Sequence, residues 1–230
     1  MNGLFPPSLD DHVVSAMRAT GFKALNLSLG SASLPQLKRF KRPDIRAAFD
    51  QALQLAEKHD LEAVGYVIAA APFQDAATTL KDLLYLAQRR VLAGVSIFYP
   101  APGSQDYALC AAQGLLPQAY TRMRASALPV SHTTTRTEAV TLLRLGRLVN
   151  FMKRLIGRGE SLPPPQAPPD TVGQTTDRLA LGREVIAWFL YDGVIRGVDA
   201  DGRVYAHRAA AHLTTMFRDR LKQIEIMPVH

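Results

Sequence analysis

Hydrophobic positions in the first hundred residues alternate between a helical and an extended period. Over 9–20, Leu9, Val13, Val14 and Met17 fall at helical spacing, with Ser8 placed to cap the start and Gly21 to end the helix. Residues 23–29 alternate leucine with small or polar side chains, the pattern of a strand. A long helix is expected from 43 to 59, with Pro43 in its first turn, Asp44 near the positive dipole end, and Ile45, Phe49, Leu53 and Ala56 as its buried stripe. The unit then repeats. Residues 63–69 form a near-continuous apolar run, as expected of a strand covered on both faces. A helix over 75–89 carries Leu80, Leu83, Leu84 and Ala87 on one side, and a third strand over 93–99 is stopped by Pro100-Ala-Pro-Gly103. Helical connections of this length join parallel strands through right-handed crossovers. The expected fold class is therefore α/β, a partial (β/α) barrel of parallel strands. Each outer strand of so short an arc would leave an open ladder, which calls for completion by something else.

Beyond Gly103 the pattern is mostly helical. A short helix over 105–113 closes at Gly114, and a strong one over 136–156 has Val140, Leu143, Leu148, Phe151 and Leu155 on or near its apolar side. SLPPPQAPP, 161–169, reads as a stiff extended linker, with limited proteolysis expected between Leu162 and Thr175. A helix over 177–191 (Leu181, Val185, Trp188, Phe189) precedes a hairpin of 194–198 and 203–207 around Asp199-Ala-Asp-Gly202, and a last helix covers 210–223. The expected organisation is a partial barrel at 1–117, a helical extension at 118–160, a linker at 161–174, and a small helix–hairpin–helix unit at 175–230.

Composition narrows the classes. The 230 residues are 47% hydrophobic and 20% charged, enough to bury a core, and no apolar run approaches the about 20 residues that cross a bilayer. The start, MNGLFPPSLDD, has neither a basic n-region nor an apolar h-region, so a cytoplasmic chain without membrane partners is expected. Cys110 is the single cysteine, set in the apolar helical string YALCAAQG, and reads as an inert thiol. The net charge of +7 and pI near 9.8 raise nucleic acid as a partner. The charge lies in two clusters, Lys38, Arg39, Lys41, Arg42 and Arg46, then Arg144, Arg147, Lys153, Arg154 and Arg158. Neither has zinc spacing, and solvated helix faces plus one anion site is the preferred reading over nucleic acid. His12, His59, His132, His207, His212 and His230 are scattered without metal spacing, and Asp199 with Asp201 fits a turn better than a calcium loop. No Ser-His-Asp set, phosphate loop or dinucleotide fingerprint is present.

Ligands of parallel α/β folds sit at the carboxyl ends of the strands. Here those ends are Ser28-Leu-Gly30-Ser31-Ala-Ser33, Ala69-Ala-Ala-Pro72-Phe73-Gln74 and Phe98-Tyr99-Pro100-Ala101-Pro102-Gly103-Ser104. Small residues there either allow tight turns or leave room for a flat ring, with hydroxyls nearby and Phe98 or Tyr99 to stack on.

The order LNLSLGSAS, LKRFKRPDIRAAFDQALQLAEKHDLEAVGYVIAAAPFQD and AGVSIFYPAPGS, preceded by MNGLFP, resembles the radical S-adenosylmethionine (SAM) superfamily over residues 1 to about 117. It enters that barrel at its third strand and is most similar to the elongator-like and cobalamin-domain-associated branches. The resemblance implies SAM as cofactor, with Asn26, Ser28 and Ser31 at its ribose or methionine portion and Arg42 on its carboxylate. Tyr66 and Ile68 would lie beside adenine. Arginine suits a carboxylate because its planar fork binds both oxygens.

The family's CxxxCxxC loop, which holds a 4Fe–4S cluster that cleaves SAM to a 5′-deoxyadenosyl radical, is not in this sequence. The family's frequent glycine after the proline is Phe73 here, and the acidic residue that often follows the corresponding first strand is absent. The expectation is a SAM-binding, substrate-side half barrel, truncated or split from a partner bearing CxxxCxxC and inactive alone. The alternatives are a non-catalytic scaffold or RNA-associated module with a basic face, and a barrel enzyme acting on a phosphorylated metabolite.

Overall fold

The computed structural model describes residues 3–123, 128–173 and 175–229; Met1 and Asn2 of the N-terminal match, Gln174 in the expected linker, and His230 lie outside them. Three strands, β1 (Ala24–Gly30), β2 (Glu62–Ala69) and β3 (Leu92–Ile97), form a parallel sheet in chain order. Helix α1 (Asp11–Ala19) precedes the sheet. The short α2 (Leu34–Arg39) and α3 (Arg46–Lys58) connect β1 to β2, and α4 (Ala76–Ala87) connects β2 to β3. Then follow α5 (Gln105–Ala112), α6 (Arg136–Gly157), α7 (Arg178–Asp192), a hairpin of β4 (Arg196–Val198) with β5 (Val204–Ala206), and α8 (Ala211–Leu221).

Cap chemistry sets most helix starts. Asp10, Asp75, Ser104 and Asp177 each accept a backbone N–H of the first turn, and Thr135 with Glu138 forms a reciprocal capping box on α6. Two expected starts move. Ser8 instead donates to the Phe5 carbonyl in a preceding turn, and Asp10 caps α1. The third helix begins at Arg46 rather than 43, because the Asp44 carboxylate accepts the Arg46 N–H and turns the chain just before it. The expected stripe Ile45, Phe49, Leu53 and Ala56 is buried.

Right-handed crossovers between strands in sequential order place both connecting helices on one face of the sheet. That face is dry: Leu25, Leu27, Leu29, Ala63, Val67, Ala69 and Ala93 are buried against α3, α4 and α6. Gly65 belongs to it, since a Cβ there would come within 2.8 Å of Phe49. The other face carries Asn26, Ser28, Val64, Tyr66, Ile68, Leu92 and Gly94, all half-buried, and exposed Ser96. The expectation of a second strand covered on both faces is therefore corrected. Its apolar run alternates between the helix-covered face and a face that, among the described residues, no helix covers, so apolar composition there does not report two-sided burial.

Both sheet edges receive partners from within the chain. On the β1 side, Leu4 forms a parallel bridge, its N–H donating to Asn26 O at 2.6 Å and its carbonyl accepting the Ser28 N–H at 2.9 Å. On the β3 side, the Asn150 side chain of α6 acts as a strand surrogate. Its Oδ1 accepts the Ala93 N–H at 2.7 Å and its Nδ2 donates to the Ala93 carbonyl at 2.9 Å.

One apolar cluster runs from the sheet through α6 to Ile186 and Phe189 of α7, Leu213 and Phe217 of α8, and Ile226. Lys153 binds the C-terminal end of α4 to α6 and the tail. It is fully buried, and its Nζ donates to the carbonyls of Ala87 (2.9 Å), Arg89 and Met227 (2.9 Å). Burial lowers its ammonium pKa to about 7, while the three carbonyls satisfy its donors. The proline-rich stretch lies along this C-terminal part: Gln166 N–H donates to Ala187 O, Val172 N–H to Gly202 O, and Asp170 O accepts from Val204.

Candidate functional site

The carboxyl end of the open sheet face holds a cavity of about 480 Å³. Ile68 and Phe98 line it from the sheet, Arg39, Phe40, Lys41 and Arg42 from the segment after β1, and Ser104, Gln105 and Asp106 from the start of α5.

Local backbone geometry delivers the basic residues. After α2 the chain reverses at Lys41, which adopts a left-handed φ of 54°. The turn sends Arg42 back over the sheet, where its Nη1 donates to Ser28 Oγ at 3.0 Å. Gly30 makes room for it: its φ is +77°, and a Cβ there would sit 3.2 Å from the Arg42 guanidinium. Lys41 Nζ donates to Gln105 Oε1 at 3.0 Å, and Arg39 pairs with Asp106 at 3.2 Å, so the post-β1 segment is tied to α5 across the cavity mouth. Among the described residues no carboxylate lies within ion-pair distance of Arg42 or Lys41. The first turn of α5 adds the positive end of a helix dipole, partly offset by Asp106. The cavity therefore favours an anionic group at its mouth and an apolar group on its floor.

The open sheet face continues the site away from the mouth. Tyr66 lies flat across Gly94, where a Cβ would come within 2.6 Å of the ring, and its hydroxyl donates to Asn26 Oδ1 at 3.4 Å. Asn26, Ser28, Tyr66, Ile68, Phe98 and Arg42 thus share one surface. Tyr99 is 39% exposed and is not among the residues that line the cavity.

Ser31 does not join them. It is fully buried, and its hydroxyl donates to the Asp82 carboxylate (2.8 Å to Oδ2) on the helix-covered side, with Ala32 N–H donating to the same group at 2.7 Å. Placing Ser31 with the ligand-facing residues is corrected on this geometry: its only hydroxyl is spent on holding the turn after β1. Asp82 is itself 1% exposed, and burial without a cation raises its pKa to about 7, against the lowering effect of the Ser31 and Ala32 hydrogen bonds.

The end of β2 is the most strained part of the site. Ala70 and Phe73 have φ of 61° and 63°, a cost for residues bearing a Cβ. The surroundings hold the loop. Gln74 accepts the Ala71 N–H and donates to Ile68 O, Thr133 and Thr134 donate to Gln74 O, and Phe73 is clamped between the Arg39 guanidinium (4.2 Å) and the His132 ring (4.7 Å).

Residue-by-residue reading missed Arg39, Lys41 and Gln105 as cavity residues. The LKRFKR string was the available signal, but its direction over the sheet depends on the turn at Lys41. Elsewhere, Asp199 Oδ1 accepts the N–H groups of Asp201 and Arg203, which is turn chemistry. His207 packs on Tyr205 while His212 faces Glu138 at 3.2 Å, and among the described residues no group of three or more His, Cys, Asp or Glu is positioned to hold a metal.

Comparison of the chain with protein-family models and with curated proteins returns no match.

Proposed function

We propose that the open sheet face and its cavity bind S-adenosylmethionine, and that β1–β3 correspond to strands of the second half of a radical SAM-type barrel. The observation that carries the reading is Arg42. It is folded back onto Ser28 at 3.0 Å, lacks a carboxylate partner among the described residues, and stands beside an apolar floor of Ile68 and Phe98. A ligand with a carboxylate at one end and a flat heterocycle at the other matches that division. Arg42 would take the carboxylate, Asn26 and Ser28 the polar atoms between, and Tyr66, Ile68 and Phe98 the adenine. The cavity volume of about 480 Å³ falls in the range of small-molecule sites.

The residues of this chain do not fit a 4Fe–4S cluster. Cys110 is the single cysteine, it is fully buried, and its Sγ lies 4.0 Å from the Val130 carbonyl. Burial pushes the thiol pKa up, away from the thiolate a cluster needs. The proposed role of these residues is accordingly to bind and orient SAM. Cleavage would require cluster ligands from a complementing polypeptide with CxxxCxxC, for which the uncovered sheet face is the proposed docking side.

The test is calorimetric titration of the full chain with SAM and with 5′-methylthioadenosine, which lacks the carboxylate. Arg42→Ala should weaken SAM binding at least about tenfold and leave methylthioadenosine unchanged, since a charge-assisted bidentate contact is worth about that much. Equal SAM affinity in the variant, or no SAM binding by a folded chain, would sink the proposal and favour the scaffold reading.

A further inference from the structure

A second cavity, of about 660 Å³, lies on the helix-covered side of the molecule, between the start of α2 and the end of α8. Its floor is one side of α4, where Thr78, Lys81, Tyr85 and Gln88 follow at successive turns. Its walls are apolar: Leu34 and Pro35 on one side, Ile224 on the other, with Leu34 50% exposed.

The cations that line this groove give it a chemical preference. Lys81 and Arg220 both line it, and among the described residues neither has a carboxylate within ion-pair distance. Among the described residues, the Arg220 side chain bonds only to Gln223 Oε1, at 3.1 Å. The Asp82 carboxyl, at the base of the groove, is already engaged by Ser31 and Ala32.

We propose that this groove binds a small organic acid with an apolar aromatic or acyl body, its acid group held by Lys81 and Arg220 and its body lying on Leu34, Pro35 and Ile224. The site is separate from the sheet-face cavity and stands or falls independently of SAM binding. It makes no contact with Arg42, Ile68 or Phe98.

The probe is 8-anilinonaphthalene-1-sulfonate, an aryl acid, with uncharged N-phenyl-1-naphthylamine as its neutral counterpart, titrated by fluorescence into the full chain. In the Arg42→Ala background, which weakens anion binding at the sheet-face cavity, saturable binding of the sulfonate is expected, with the neutral probe at least about tenfold weaker, the change one charge-assisted contact makes. Lys81→Glu and Arg220→Glu should each weaken the sulfonate several-fold, and Thr78→Trp, which fills the floor, should abolish it. The groove variants are made in that same Arg42→Ala background, so that sulfonate held at the sheet-face cavity does not mask the groove. All of these are exposed or half-exposed positions, and a matched thermal melt verifies folding. Equal binding of the two probes would overturn the proposal, as would sulfonate binding indifferent to all three groove variants or no saturable binding by the folded chain.

Discussion

Replacement of Asp82 by asparagine tests how the turn after β1 is held. The carboxylate is 1% exposed, accepts from Ser31 Oγ and Ala32 N–H, and has no cationic partner among the described residues. Burial raises its pKa from 3.8 to about 7. Between those values the folded chain keeps a proton that the unfolded chain gives up. Asp82 therefore contributes stability that is fully present below about pH 4 and is lost as pH rises through about 7. A window of about three pH units at about 1.4 kcal/mol per unit bounds the effect at roughly 4 kcal/mol. Asparagine keeps shape and hydrogen-bonding capacity: Oδ1 still accepts from Ala32, and the amide can donate to Ser31 Oγ. Urea unfolding of both chains from pH 5 to 8.5 is the assay. The difference between the curves isolates Asp82, since carboxylates with lowered pKa values such as Asp177 and Asp192 titrate in both. Wild type should lose ground to Asp82→Asn as pH rises from 5 to about 7 and the gap should level off above that, with asparagine the more stable by a few kcal/mol at pH 8. Parallel curves, or an asparagine variant that is weaker at pH 8, would refute the reasoning and mean that the buried carboxylate stays ionised.

Two further outcomes follow from the packing. Asn150→Leu keeps the volume on α6 but strands the N–H and carbonyl of Ala93, which is 7% exposed, and should cost about 2 kcal/mol in chemical denaturation; a loss under about 0.5 kcal/mol would show that water closes this edge equally well. Limited proteolysis should nick the chain between Leu162 and Gly173, where most residues are exposed, yet the two fragments should co-elute in native gel filtration. Phe189, Leu213 and Phe217 are buried in the same cluster as Leu83 and Leu142, so separation without denaturant would contradict a shared core.

Local rules in the sequence determined the elements. Cap residues such as Asp75, Ser104, Thr135 and Asp177 stand where their helices start, because a side-chain oxygen needs only the next three residues to find its partner. The alternation in 23–29 and the lengths of the helical connections also fixed the parallel order of the sheet, since right-handed crossovers leave few topologies open. Arg42, Ser28, Asn26, Tyr66, Ile68 and Phe98 could be nominated from strand ends and from resemblance, and they do share one surface.

What composition could not show is which face of an apolar strand is dry. Val64, Tyr66 and Ile68 look like core residues in the string AVGYVIA, yet they line the open face, because burial depends on where α3, α4 and α6 lie and not on hydrophobicity. Ser31 illustrates the same limit: a serine at a strand end faces a ligand or a buried carboxylate according to a contact with Asp82, 51 positions away. The closure of β3 by Asn150, 57 positions from Ala93, and the turn at Lys41 that aims Arg42 over the sheet belong to the same class. Each is a long-range pairing or a backbone reversal whose energy comes from the assembled neighbours, so only the tertiary structure decided it.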